Sequence, residues 1–168
     1  SGGGIYYDGS LGSGGSVSVL TSHIQGNDAW NTGGGLYVAR GDLSVEQSWV
    51  TSNHANDGGG LGAIEATSIL VDRSFLCLNS CEENGVGAYF TGSSGMRIVS
   101  STAFVQNWGN NWGGALYEEG VTAGAPAGVL EQVTAVGNGG NGWDSGISLN
   151  NSPAGYSRSS GTGSENGF

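Results

Sequence analysis

The chain has 168 residues, 35 of them glycine, and a formal charge of −10 from 14 acids against 4 arginines, with no lysine. That length suits a single domain. The missing basic face excludes nucleic acid and anionic lipid as partners, and no run of about 18 apolar residues offers a bilayer-spanning segment. Apolar residues reach 36% against 11% charged, the reverse of a disordered polyelectrolyte, so the glycine needs a periodic explanation.

In chain order, glycine-rich turns recur as GGGIYY (2–7), GGGLYV (33–38), GGGLGA (58–63), GVGAYF (85–90), GGALYE (113–118) and a degenerate DSGISL (144–149). Their starts are separated by 31, 25, 27, 28 and 31 residues. This irregular, short period suits one coil of a β-solenoid better than a propeller blade or a helical repeat. A second marker keeps the same phase. An apolar residue is followed three positions later by asparagine at Ile24/Asn27, Val50/Asn53, Leu76/Asn79, Phe104/Asn107 and Ala135/Asn138.

Between the markers, short stretches alternate with a period of two: Ile5/Tyr7, Leu36/Val38, Leu61/Ala63 and Ala88/Phe90, then Val17/Val19, Leu43/Val45, Ile69/Val71 and Ile98 with Met96. Such runs, bounded by Gly, Asn and Ser, are half-buried strands. Sustained helical spacing with capping signals is absent, which predicts little or no helix. The expected fold is all-β, a parallel β-helix of about five to six coils over residues 1–149, with 150–168 an irregular polar tail or incomplete last coil. Coils stacked at strand spacing would make a rod about 25–30 Å long.

The stacking gives each marker a physical role. Glycine permits positive φ and close approach at corners. Asparagine tolerates the left-handed region, and its amide can bond the same amide one coil above. Asn27, Asn53, Asn79, Asn107 and Asn138 are therefore expected to form a structural column.

At this point the paired motifs resemble a known family. GGA-[ILV] and F-x-x-N, alternating once per coil, are similar to the polymorphic outer-membrane protein repeats of chlamydial autotransporter passengers. The motifs stand as GGGI, GGGL, GGGL, GVGA and GGAL, with one literal FVQN at 104–107. The resemblance covers residues 2–149 and implies a right-handed parallel β-helix exposed at the cell surface, used for adhesion or assembly.

Catalytic signals are weak. Polysaccharide hydrolases on such folds need adjacent aspartates with a nearby His and Lys. No Asp-Asp pair, Gly-His-Gly or Arg-x-Lys occurs. Arg40, Arg73, Arg97 and Arg158 fall at unrelated phases of the coil, His54 follows Asn53 as Trp108 follows Asn107 and reads as a corner position, and His23 has no matching partner, so no enzyme is expected. Asp28, Asp57, Glu82 and Glu83 line up near the asparagine corner as solvated carboxylates, with Ca²⁺ the one cation they would suit; otherwise no metal or cofactor is expected.

Counting from each glycine turn, Tyr6, Tyr37, Tyr89 and Tyr117 share one phase, interrupted by Gly62. Their neighbours face inward, so alternation turns the rings outward as a candidate ladder for binding polysaccharide or packing against protein. Trp30 and Trp112 precede glycine turns and cap the same corner from outside. Cys77 and Cys81, spaced C-x-x-x-C, read as a local disulfide; two thiolates are half a zinc shell, and two free thiols in a turn is the alternative. Asn150-Asn151-Ser152 is a glycosylation acceptor, and Asn79-Ser80-Cys81 a weaker form.

The chain opens on Ser1-Gly2-Gly3-Gly4 with no initiator Met or leader, and reads as a processed product or a piece of something longer. If a second copy followed residue 168, its first glycine turn would fall 26 residues after the last one, inside the observed spacing. The expectation is therefore an extracellular structural subunit that self-associates head to tail into a filament or surface layer. The alternative is an adhesin or carbohydrate-binding module that uses the tyrosines.

Overall fold

In a computed structural model of the chain, which describes residues 3–11, 14–140, 146–150 and 156–160, the backbone winds as a parallel β-solenoid of about 5 turns. Each turn contributes strands to up to four sheets. Sheet 1 stacks Ile5–Asp8, Leu36–Ala39, Leu61–Ile64, Ala88–Thr91, Leu116–Glu119 and Ile147–Asn150. Sheet 2 stacks Ser16–Leu20, Asp42–Glu46, Ser68–Asp72, Arg97–Ser100, Gly128–Glu131 and Tyr156–Ser160. Sheet 3 runs from His23–Gln25 through Trp49–Thr51, Phe75–Cys77 and Ala103–Val105 to Thr134–Val136. The short sheet 4 joins His54–Ala55, Ser80–Cys81, Trp108–Gly109 and Gly139–Gly140. The one helical element among the described residues is a 3-10 turn at Gly9–Leu11.

Every strand pairing among the described residues is parallel and joins residues one coil apart, so each inward position becomes a column along the axis. Ile5, Leu36, Leu61, Ala88, Leu116 and Ile147 form one such column. Ile24, Val50, Leu76, Phe104 and Ala135 form another. From the second coil on, these side chains are almost fully buried in a single core. Each buried Leu, Ile or Phe contributes about 1.5–3 kcal/mol relative to exposure.

Sheet 2 departs from the sequence expectation at its fourth strand. The register aligns Val17, Leu43, Ile69 and Arg97, and beside them Val19, Val45, Val71 and Val99. Ile98 therefore faces outward with Leu70, not inward with Met96, which is 41% exposed. A slip of one residue exchanges the two faces of a strand. The slip is tolerated because the inward arginine finds a partner. Arg97 Nε donates to Glu118 Oε1 at 2.7 Å, with both side chains fully buried. Arg97 Nη1 also donates to the carbonyls of Gly95 and Pro126. Glu118 itself occupies the column of Val38, Ala63 and Phe90. From the second coil to the fifth, the connection from sheet 1 to sheet 2 lengthens from 40–41 through 65–67 and 92–96 to 120–127. The connections 92–96 and 120–127 supply the carbonyls that receive the guanidinium.

The corners also differ from expectation in one respect. None of the five corner asparagines has positive φ; the residue before each one does, namely Gly26, Ser52, Leu78, Gln106 and Gly137, with φ of 52–68°. The left-handed step redirects the chain, and the asparagine after it sends its amide along the axis. The same device recurs between sheets 2 and 3, where Thr21, Gln47, Arg73, Ser101 and Gln132 take φ of 45–52°. Glycine is required in the turns themselves: a Cβ at Gly34 would collide with the carbonyl oxygens of His54 and Gly59.

Candidate interaction surfaces

The asparagine corner is a saturated hydrogen-bond ladder. Asn27 Nδ2 donates to Asn53 Oδ1 at 3.0 Å, Asn53 to Asn79 at 3.1 Å, Asn79 to Asn107 at 3.0 Å and Asn107 to Asn138 at 2.8 Å. Each accepting Oδ1 also takes the backbone N–H of the donating asparagine. The Nδ2 groups of Asn53, Asn79, Asn107 and Asn138 donate in turn to the carbonyls of Ile24, Val50, Leu76 and Phe104. Full pairing of buried amides removes their desolvation cost and locks register, which is structural work. A second ladder that sequence reasoning missed runs at the opposite corner. Ser48 Oγ, Ser74 Oγ and Thr102 Oγ1 accept the N–H groups of Ser22, Ser48 and Ser74. Its signal was a hydroxyl residue two positions before the first residue of the apolar–x–x–Asn marker, at Ser22, Ser48, Ser74 and Thr102.

The tyrosines form two separate stacks. Tyr6 and Tyr37 lie parallel, with centroids 5.1 Å apart and planes within 6°, and Tyr89 and Tyr117 do the same at 5.8 Å. Gly62 takes the intervening register position. Exposure falls along the ladder from 54% at Tyr6 to 5% at Tyr117, so the last ring is not an outward surface group. The Tyr89 and Tyr117 hydroxyls both donate to Glu119. Burial first, and then the Glu119 carboxylate, pushes the Tyr89 phenol well above its ordinary range. Within each stack each ring covers one face of its partner.

A concave surface lies outside the asparagine corner. A groove of about 490 Å³ is lined by Asp28, Ala29, Trp30, Asn31, His54, Asn56 and Glu82. Its residues come from three successive coils, brought side by side by the parallel bridge Asp28–His54 and the pairing of His54 with Ser80. His54 Nδ1 lies 2.9 Å from Ser80 Oγ, and its Nε2 lies 3.8 Å from Glu82 Oε1, so both ring nitrogens have neighbours. Glu82 Oε2 accepts from Asn110 at 3.0 Å. Trp30 stands at the edge with its indole 95% exposed, and Trp112 is far more covered, at 37%.

The remaining sequence candidates resolve differently. Cys77 and Cys81 are free thiols, which corrects the expected disulfide. The reason is alternation: Cys77 sits beside Thr51 and Val105 on the outer side of sheet 3, while Leu76 fills the core. Cys81 lies past the Asn79 corner in register with Ala55 and Gly109, its sulfur against Val86 and toward the Asn84 carbonyl. Burial pushes the Cys81 thiol up to about 12. Asp57 accepts from the backbone N–H and the side-chain amide of Asn84, and burial raises its pKa above the usual carboxylate value. Among the described residues, no group of three or more His, Cys, Asp and Glu side chains is placed to hold a metal ion. Nor is any helix among them long and apolar enough to cross a membrane. Asn150 ends the last strand of sheet 1, opposite Glu119; Asn151 and Ser152 of its acceptor motif, like most of the 150–168 tail, lie outside the described residues. The weaker acceptor Asn79 is buried within the ladder.

Comparison with protein-family models, curated proteins and solved structures found no match to the chain.

Proposed function

We propose that this chain is a non-enzymatic structural protein of an extracellular or cell-surface assembly, a solenoid unit that stacks head to tail with further copies into a filament or layer. One observation carries the reading: among the described residues, the first coil covers the core less completely than the second. Ile5, Tyr7 and Val17 pack against the core but stay only partly buried, whereas their register partners Leu36, Val38 and Leu43 are 0–1% exposed. Ile5–Asp8, Ser16–Leu20 and His23–Gln25 are also the terminal strands of their sheets. Each offers a row of unpaired backbone groups as a template for another parallel strand. A partner that continued the coil would bury these residues as deeply as the second coil buries their equivalents. Such a heterologous contact propagates instead of closing. The likeness of the glycine and asparagine motifs to outer-membrane passenger repeats supports a surface location, and the acidic surface suits a soluble exterior rod.

Sedimentation velocity and negative-stain images over a concentration series test this reading. Rods that lengthen with concentration are expected, and Val17→Lys, which places a charge in the open core face, should return them to single units. Single short particles at every concentration would overturn the proposal.

A further inference from the structure

We propose that the groove beside the asparagine corner is a binding subsite for a short run of a neutral polysaccharide, with Trp30 stacking on a sugar ring and Asp28, Asn31, His54, Asn56 and Glu82 bonding its hydroxyls. Sugars are recognised by an apolar ring face and by a rim of planar hydrogen-bonding groups, and this groove has both. Trp30 is the most exposed large hydrophobic residue among the described residues, at 95%, and it borders a concavity instead of a flat sheet. An exposed indole on solvent alone gains nothing; against a sugar's C–H face it removes apolar area from water on both partners.

The other aromatic surfaces lack this combination. The tyrosine faces cover one another at 5.1 and 5.8 Å. Trp49 lies against Phe75 at 5.0 Å with planes tilted 44°, and meets His23 edge-on, so that row offers no flat platform. The Trp108 ring lies where a side chain at Gly139 would stand. Among the described residues, Trp30 is the indole with bare faces beside a cluster of polar groups.

Charge selects the ligand class. Asp28 and Glu82 place two carboxylates in the groove, the whole chain carries −10, and no arginine lines it. Arg40, in the connection just past the sheet 1 strand Leu36–Ala39, is already bound to Asp8 and Glu65. Uronates and sulfated sugars are repelled, while ionised carboxylates are strong acceptors for neutral sugar hydroxyls. The lining spans three coils, about 10 Å along the axis at strand spacing, which favours an extended oligosaccharide over a single small solute. His54 is held between Ser80 and Glu82, so its ring enters the rim with a set orientation.

The test is a titration of the full chain, followed by tryptophan fluorescence and affinity electrophoresis. The probes are neutral gluco-, manno-, xylo-, galacto- and chito-hexaoses, with hexagalacturonate as the anionic comparison. Saturable binding of at least one neutral probe is expected. Trp30→Ala should weaken it by about tenfold or more, the scale of one aromatic contact, and Glu82→Gln by about fivefold, the difference between a charged and a neutral acceptor. Trp49→Ala should leave it unchanged. Trp30 is exposed, so a melting curve matching wild type is expected and separates lost binding from lost fold. Binding of no neutral probe, equal binding by the Trp30→Ala protein, or equal binding of the uronate chain would each overturn the proposal.

Discussion

Around the second and third coils the interior is aliphatic: Leu36, Val38, Leu43, Val45, Leu61, Ile69 and Val71 are all 0–1% exposed. Further along the rod, Arg97 follows Ile69 in one inward column and Glu118 follows Phe90 in another, equally buried and joined at 2.7 Å. The same backbone lattice thus accepts two kinds of core. Apolar columns tolerate a neighbouring register with modest loss, because any apolar residue of similar size will serve. A buried charge pair has only the register in which both members meet. Its Coulombic attraction is largely offset by desolvation, so what it contributes is selection of one alignment more than net stability.

The largest expected effect breaks the charged core. Glu118→Ala removes the carboxylate facing a buried guanidinium and should cost about 3–5 kcal/mol in urea unfolding. The double variant Arg97→Ile/Glu118→Leu, which extends the aliphatic columns, should be as stable as wild type or more so by about 1–4 kcal/mol. A double variant as unstable as Glu118→Ala alone would show that the pair is needed for stability. Next comes a contrast between the middle and the end of the amide ladder. Asn79→Ala removes the bonds that its Oδ1 accepts from the Asn53 N–H and amide and those that its Nδ2 donates to the Val50 carbonyl and Asn107 Oδ1, a loss of about 3 kcal/mol or more. Asn27→Ala, at the more exposed first coil, should cost about 1 kcal/mol. Equal losses at the two positions would mean that the ladder is not the source.

The smallest effect vanishes at neutral pH. The Cys81 thiol is raised from its ordinary value of 9.0 to about 12, first by burial and then by the Asp57 charge. Between those values the unfolded chain releases this proton while the folded chain keeps it. Stability is therefore unaffected below about pH 9 and falls as pH rises toward 12. Cys81→Ala should lose less stability over that window than wild type, measured by urea midpoints at pH 8 and pH 10.5. Parallel curves would place the alkaline loss elsewhere, with the raised Tyr89 phenol the next group to examine.

Local pattern alone made the coil period, the parallel stacking, the asparagine column and the inward faces of sheets 1 and 3 legible. Each follows from a period-two side-chain alternation repeated at a fixed phase, and neither depends on knowing what lies across the core. Tertiary structure decided the rest. Met96/Ile98 and Arg97/Val99 alternate equally well, and only the approach of Glu118 within 2.7 Å decides that the arginine goes inward. Close spacing suggested that Cys77 and Cys81 are bonded, but the turn at Leu78 and Asn79 sends them to different surroundings. The groove joins Asp28, His54 and Glu82, which are remote in sequence and adjacent only because coils of 25–31 residues bring one corner back to the same place. Proximity across coils depends on the summed length of every connection, a quantity no short window of sequence contains.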